Sequence, residues 1–285
     1  MATSLRIVVT GGSGKIGTRL LEVLIARGHQ PIGLDRDNPT PPVAPFVQAD
    51  LRERAMLEPI LEQADAICHL GEYPQLQPDM RADQLFAHNV TVGSRVLQTA
   101  ADLKLKRIVY VSTCQVYGLW GDHYAKINTP PKLPMDETAA RRPQDAYALG
   151  KVAVEDYACM LAEQNPGLSI AAIRLPWVMD DREVANARAK LPEILQMRDG
   201  MNTYLHLDDA AEVLAMAIEG DGKGFKAYHA VADDIISARP TREILKDRFG
   251  EEARLPPDFP DFGSPVTTEK ARQHFGWTPR FSIHR

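Results

Sequence analysis

Only three cysteines occur in 285 residues, Cys68, Cys114 and Cys159, and no two stand at C-x-x-C spacing. An odd, scattered set supports neither a disulfide framework nor a structural zinc site, and reads as reduced thiols in a cytoplasmic protein. Long apolar runs are missing as well, since nothing approaches the roughly 20 residues that a membrane helix needs. Basic charge is in deficit: 33 Lys and Arg stand against 38 Asp and Glu, a net charge of -5. Neutralising phosphates takes a basic face, so no nucleic-acid partner is expected, and no membrane partner either. The start, MATSLRIVVTGG, has no charged-then-apolar export layout and enters a strand and a glycine turn directly. The histidines are scattered and form no ligand set, so no metal site is expected.

What is present is an ordinary globular balance, 44% hydrophobic and 25% charged, at a length that suits one large domain or two lobes. Short apolar runs at Leu5-Thr10, Pro31-Asp35, Phe46-Asp50, Ala64-Leu70, Arg107-Thr113 and Ser169-Leu175 read as strands. Between them, Ile16-Arg27, Arg52-Gln63, Asp83-Leu103 and Asp145-Gln164 carry helical periodicity. Strands alternating with helices imply right-handed crossovers and a parallel sheet covered on both faces, a doubly wound α/β fold of the Rossmann type. Residues 1-175 form this domain. Residues 176-285 read as a smaller mixed substrate lobe, with segments able to return to the sheet. That lobe has helices near Leu191-Met197, Ala210-Glu219, Thr241-Phe249 and Thr268-Phe275, and a strand at Lys226-Ala232.

TGGSGKIG joins the first strand to the first helix, with glycines at Gly11, Gly14 and Gly17. Glycine permits the tight turn and the backbone approach to a diphosphate, while the helix start offers N-H groups and a positive dipole end. Lys15 and Ile16 lie inside the same turn. Asp35 follows 18 positions after Gly17, near the spacing of a ribose-binding acid. Its carboxylate would bind the adenosine ribose and repel a 2'-phosphate, which favours NAD, while Arg36 beside it keeps NADP open. Asp50, with Leu51 behind it, is placed to meet the adenine edge. As a helix N-cap it has a structural reading too.

Tyr147 and Lys151 in AYALGK stand four apart, one turn along one helix face. With this pair the chain resembles the extended short-chain dehydrogenase/reductases, the NAD-dependent epimerase/dehydratase family. The resemblance rests on TGGSGKIG, Asp35, Asp50, HLG at His69-Gly71, HNVTVG at His88-Gly93, VSTCQVYG, YALGK, LHLDDAAE at Leu205-Glu212 and GWTP at Gly276-Pro279. It implies that Tyr147 is the general acid/base, that Lys151 lowers its pKa and bonds the nicotinamide ribose, and that Thr113 holds the substrate hydroxyl. It adds Leu70, Gly71 and Asn89 to the cofactor side, Asn89 with a structural alternative at a helix bend. Ser112, Thr113, Cys114 and Arg174 fall to the substrate side, Cys114 with a buried-thiol alternative and Arg174 with a salt-bridge alternative. Ser112 and Thr113 end a parallel strand, where ligands bind.

Family members that dehydrate sugar nucleotides resemble one another in an Asp-Glu pair after this Thr. Cys114 and Gln115 stand there instead, which reads against a dehydratase. Two enzymes remain: an epimerase that returns the hydride, and a dehydrogenase that releases NADH. Pro176 and Trp177 replace the family's asparagine and Gly-Pro segment, which points to a substrate smaller than a nucleotide sugar, as in the short uronate dehydrogenases. A non-catalytic NAD(P) sensor on the same fold is the alternative from another class. His206 and Asp208 read as structural, with Asp208 as an N-cap for a helix from Asp209 and Glu212 completing the box. A homodimer is expected, paired through Val96, Val152, Ala153 and Tyr157 of the two long helices.

Overall fold

β-Branched runs alternating with apolar-striped helices build one large sheet in the computed structural model, which describes residues 4-119, 130, 132-191 and 201-285. The elements run β1 (Arg6–Thr10), α1 (Lys15–Ala26), β2 (Gln30–Asp35), β3 (Phe46–Gln48), α2 (Arg54–Leu61), β4 (Ala66–His69), α3 (Ala82–Asp102) and β5 (Arg107–Thr113). There follow α4 (Ala146–Gln164), β6 (Ser169–Leu175), β7 (Trp177–Met179), α5 (Asp181–Lys190), β8 (Tyr204–His206) and α6 (Leu207–Glu219). β9 (Gly224–His229), α7 (Thr241–Phe249) and α8 (Glu269–Phe275) complete the order. Seven strands form the main sheet in the order β3-β2-β1-β4-β5-β6-β9, and β7 pairs with β8 in a second, parallel pair. β1 lies parallel to both β2 and β4, so the winding reverses between β1 and β4. Ligands of such sheets bind at that reversal, beyond the carboxyl ends of the strands.

The chain divides into two compact units interleaved in sequence. The first holds the chain through Ser112, Asp145–Ile173 and Ala211–Ala227. Its main core joins Val8, Leu34, Ile67 and Ile108 of the sheet to Leu57, Leu61, Val92, Val96, Val154 and Leu161 of the helices, all buried. The second holds Thr113–Gln144, Arg174–Ala210 and Tyr228–Arg285. There Met179, Val184, Ala187, Tyr204, Ala232, Ile236 and Ile283 pack together.

The structure corrects several expectations. The sequence pattern does not predict β7, α5 or β8: the two strands have three residues each, and α5 buries only Val184 and Ala187, too little for a visible stripe. The helix expected near Leu191-Met197 lies outside the described residues apart from Leu191. Asp208 does not cap α6, which begins at Leu207, so Asp208 sits in its first turn. The neighbouring Asp209 accepts from the backbone N-H groups of Arg280 and Phe281, and Glu212 pairs with Arg27. Asp50 does not cap α2, whose N-cap is Glu53. Val96 is not on a free face, because it is fully buried in the first unit's core.

α4 carries Tyr147 and Lys151, and its start is defined by Asp145, whose Oδ1 accepts from Ala148 N at 2.7 Å. Loss of such a cap costs about 1 kcal/mol. Asp145→Ala should therefore lower the unfolding free energy by about 1 kcal/mol in a denaturant titration while the circular dichroism of the folded protein stays unchanged.

Candidate active site

The glycine turn after β1 is a bare backbone surface. Gly11 has φ +71°, and Gly14 N donates to Gly11 O at 3.1 Å, closing the turn before α1. A Cβ placed on Gly17 would come 2.1 Å from Gly11 O, and one on Gly11 would come 2.8 Å from the Leu70 carbonyl carbon. Only glycine lets the turn, α1 and the exit of β4 approach this closely. Leu51 is buried, and Leu70 N donates to Thr10 O at 3.1 Å, which ties the exit of β4 to β1.

Asp35 ends β2 with its carboxylate aimed at the turn. Ser13 donates to Oδ2 through its hydroxyl at 2.6 Å and its N-H at 3.2 Å, and Arg36 N donates to Oδ1 at 2.7 Å. Since a carboxylate has about four acceptor positions, Oδ1 keeps capacity for a further donor. The Arg36 guanidinium turns to Tyr73, over whose ring it sits at 5.5 Å. Asp50 is forked by Arg52, with Nη2 on Oδ2 at 2.6 Å and Nε on Oδ1 at 3.0 Å. These hydrogen bonds pull the Asp50 carboxyl down to about 2. Asn89, fully buried on α3, accepts from Tyr73 N and donates to Tyr73 O at 2.8 Å, pinning the loop after β4.

On α4, Lys151 Nζ lies 5.7 Å from the centre of the Tyr147 ring, the geometry their four-residue spacing implies. Lys151 is buried and donates to Val111 O of β5 at 2.6 Å. Ser112 donates to Glu155 Oε1 of the same helix at 2.6 Å. The carboxylate beside the lysine is not foreseeable from the sequence. Glu72, three residues past the end of β4, brings Oε2 to 3.1 Å from Lys151 Nζ. An acid shortly after a strand-end motif is the available signal, but nothing in the sequence distinguishes it from a solvated loop residue.

In the second unit, Thr113 Oγ1 accepts from Gln115 N at 3.2 Å and caps a single 3-10 turn, Cys114–Tyr117. Cys114 is fully buried and its thiol donates to Arg174 O at 3.4 Å. Arg174 is buried as well, with its guanidinium 5.2 Å over the Tyr117 ring and donating to the Tyr117 hydroxyl. That hydroxyl contacts His229 Nε2 at 2.6 Å. Burial, with the Arg174 charge, pushes the His229 imidazole down to about 3, which keeps it neutral. His206 Nε2 lies 3.1 Å from Asp181 Oδ1 and its ring stacks on Phe281. Among the described residues no group of three or more His, Cys, Asp or Glu could hold a metal.

The pattern of the NAD dependent epimerase/dehydratase family matches residues 7-229. The chain belongs to that family. It is 28% identical to a UDP-glucose 4-epimerase of Rhizobium leguminosarum bv. trifolii, over 97% of this chain and 93% of the relative. A UDP-glucose 4-epimerase of Streptococcus mutans is 24% identical over 96% and 92%. In fold it matches a short-chain dehydrogenase/reductase superfamily protein of Agrobacterium tumefaciens with bound NAD, at TM-score 0.73, 19% identity, and coverage of 98% and 94%.

As a member of the NAD dependent epimerase/dehydratase family the chain is an NAD-dependent enzyme, and its residues fit that cofactor. Gly11 and Gly17 present no side chains at the turn, and Gly14 provides α1 with no side-chain cap of its own, so the helix start could take a diphosphate. Asp35 Oδ1 could accept from a ribose hydroxyl. A hydrogen bond to a charged group contributes roughly 1.5–3 kcal/mol. Asp35→Asn should weaken NAD about tenfold or more, with a smaller loss for NADP, read by titration calorimetry with each dinucleotide.

Proposed function

We propose that Tyr147 and Lys151 oxidise a secondary alcohol of a sugar-type substrate, with Tyr147 as the base that takes the hydroxyl proton. The observation that carries this is the placement of a buried, charged lysine 5.7 Å from the ring of a partly exposed tyrosine one turn away on α4. A free phenol titrates near 10. An ammonium beside it favours the phenolate and brings it toward working pH. NAD, held by Gly11, Gly14, Lys15, Ile16, Gly17 and Asp35, supplies the hydride acceptor when bound. Lys151 is fixed by Val111 O, so its charge stays beside Tyr147 with little reorganisation. Thr113 keeps the substrate-hydroxyl role that the resemblance assigns it.

Likeness over nearly the whole chain to UDP-glucose 4-epimerases supports return of the hydride with inversion. Pro176 and the exposed Trp177, in place of the family's asparagine and Gly-Pro, support a smaller substrate and net oxidation. We further propose a homodimer and a cytoplasmic site of action. Leu149 and Met160 are exposed on α4, flanked by the half-buried Val152 and Ala153, which supports a second copy covering that face. Cys68, Cys114 and Cys159 form no disulfide, as a reducing compartment allows. No helix among the described residues is long and apolar enough to cross a membrane.

Free sugars, uronic acids and UDP-sugars incubated with NAD separate the two reactions. NADH absorbance that builds up identifies a dehydrogenase, and inverted product without build-up an epimerase. Tyr147→Phe should cut turnover of every active substrate by about 100-fold or more and leave NAD binding intact. Full turnover by the variant would reject the mechanism. Leu149→Arg should shift the sedimentation coefficient from dimer to monomer.

A further inference from the structure

The Glu72 side chain is buried although its backbone is partly exposed. Oε2 lies 3.1 Å from Lys151 Nζ and 3.3 Å from the Tyr110 hydroxyl, which donates to it. Oε1 lies 3.3 Å from Nε2 of the fully buried His69. On the other side of that ring, Thr10 Oγ1 meets Nδ1 at 2.6 Å and accepts from Leu70 N at 3.2 Å. Nε2 and Oε1 face each other inside the core without forming a hydrogen bond. α3 makes the space: a Cβ on Gly93 would come 2.6 Å from Glu72 Oε1. A helix glycine, a tyrosine, an imidazole and a lysine thus enclose one carboxylate.

We propose that Glu72 is a positioning residue for the reaction, the counter-ion that keeps Lys151 protonated and aimed in its buried setting. This rests on the reading of Tyr147 and Lys151 given above. An ammonium has three protons. Val111 O and Glu72 Oε2 take two, which leaves one for a further acceptor. Burial alone lowers a lysine's pKa, because the charged form loses water. Here burial is opposed by the charges of Glu72, Tyr147 and Glu155, and Lys151 stands above the ordinary lysine value. Burial likewise raises Glu72, but Lys151 and His69 outweigh it and the carboxyl stays below its ordinary value. Tyr110 is raised, first by burial and then by Glu72 and its neighbours, so it remains a donor. The groups facing Lys151 are therefore Glu72 from the loop after β4, Tyr110 from β5, and Tyr147 and Glu155 from α4. Among these, Glu72 both opposes the ammonium charge and accepts its hydrogen bond.

The test follows Lys151 directly, in protein without dinucleotide. Lysine labelled with 13C at Cε is titrated by NMR, with the Lys151 resonance assigned through Lys151→Arg. The midpoint should lie above that of exposed lysines in the wild type and fall by about two pH units or more in Glu72→Gln. Glu72→Asp, which retracts the charge but keeps it, should fall in between and serves alone should the Gln variant fail to fold. In parallel, the acid limb of the kcat/KM profile should move up in the order wild type, Asp, Gln, with kcat reduced more than KM is changed. A Lys151 midpoint equal in wild type and variants overturns the proposal. Turnover retained by Tyr147→Phe would remove the catalytic reading, and the Lys151 titration would then decide separately whether Glu72 holds the lysine charged.

Discussion

The close approach of backbone to backbone at the first crossover is the constraint on which the rest depends. Gly11 lies against the exit of β4 and Gly17 against Gly11 O, distances that no side chain would permit. That contact brings α1 down onto β1 and places the turn at the reversal of strand order between β1 and β4. The same feature that lets the helix pack keeps side chains away from the N-H groups at its start, where the proposed diphosphate would bind.

A second constraint is electrostatic. Lys151, His69, Glu72 and Glu155 are charged or ionisable groups buried in the first unit, where isolated charges are costly. Each is placed against a partner: Lys151 on Glu72 and Val111 O, Glu155 on Ser112, His69 on Thr10. Replacing a buried ion pair by apolar residues is often neutral or stabilising, so such a cluster points to chemistry more than to stability. The buried set of the second unit, Arg174, Tyr117 and His229, differs in kind. There the imidazole is held neutral and the guanidinium is spread over a ring, an arrangement that anchors the turn after β5.

Much of this was legible because it is local. β5 and β6 have the bounds their apolar runs implied, and α4 begins one residue past its expected start because Asp145 is its cap. The Tyr147–Lys151 pair needs only the pitch of one helix. Elements that depend on distant partners escaped: β7 and β8 are three-residue strands that pair with each other, and the chain from Asp180 to Thr203 separates them. Asp50 looked like a cap by sequence position, yet its carboxylate is taken by Arg52, a contact within the turn that delays α2 to Arg54. Val96 looked like a free apolar position on α3 and is instead part of the core.

Hydrophobic period, glycine spacing and the four-residue step from Tyr147 to Lys151 were determined by the sequence alone, because each is a property of a single element or turn. The surroundings of those residues were decided by the tertiary structure. Glu72, Tyr110, Gly93 and Lys151 come from a loop, a strand and two helices. Burial turns a carboxylate that sequence position would assign to solvent into the partner of an ammonium, since a charge removed from water must find its compensation in whatever the fold brings within reach.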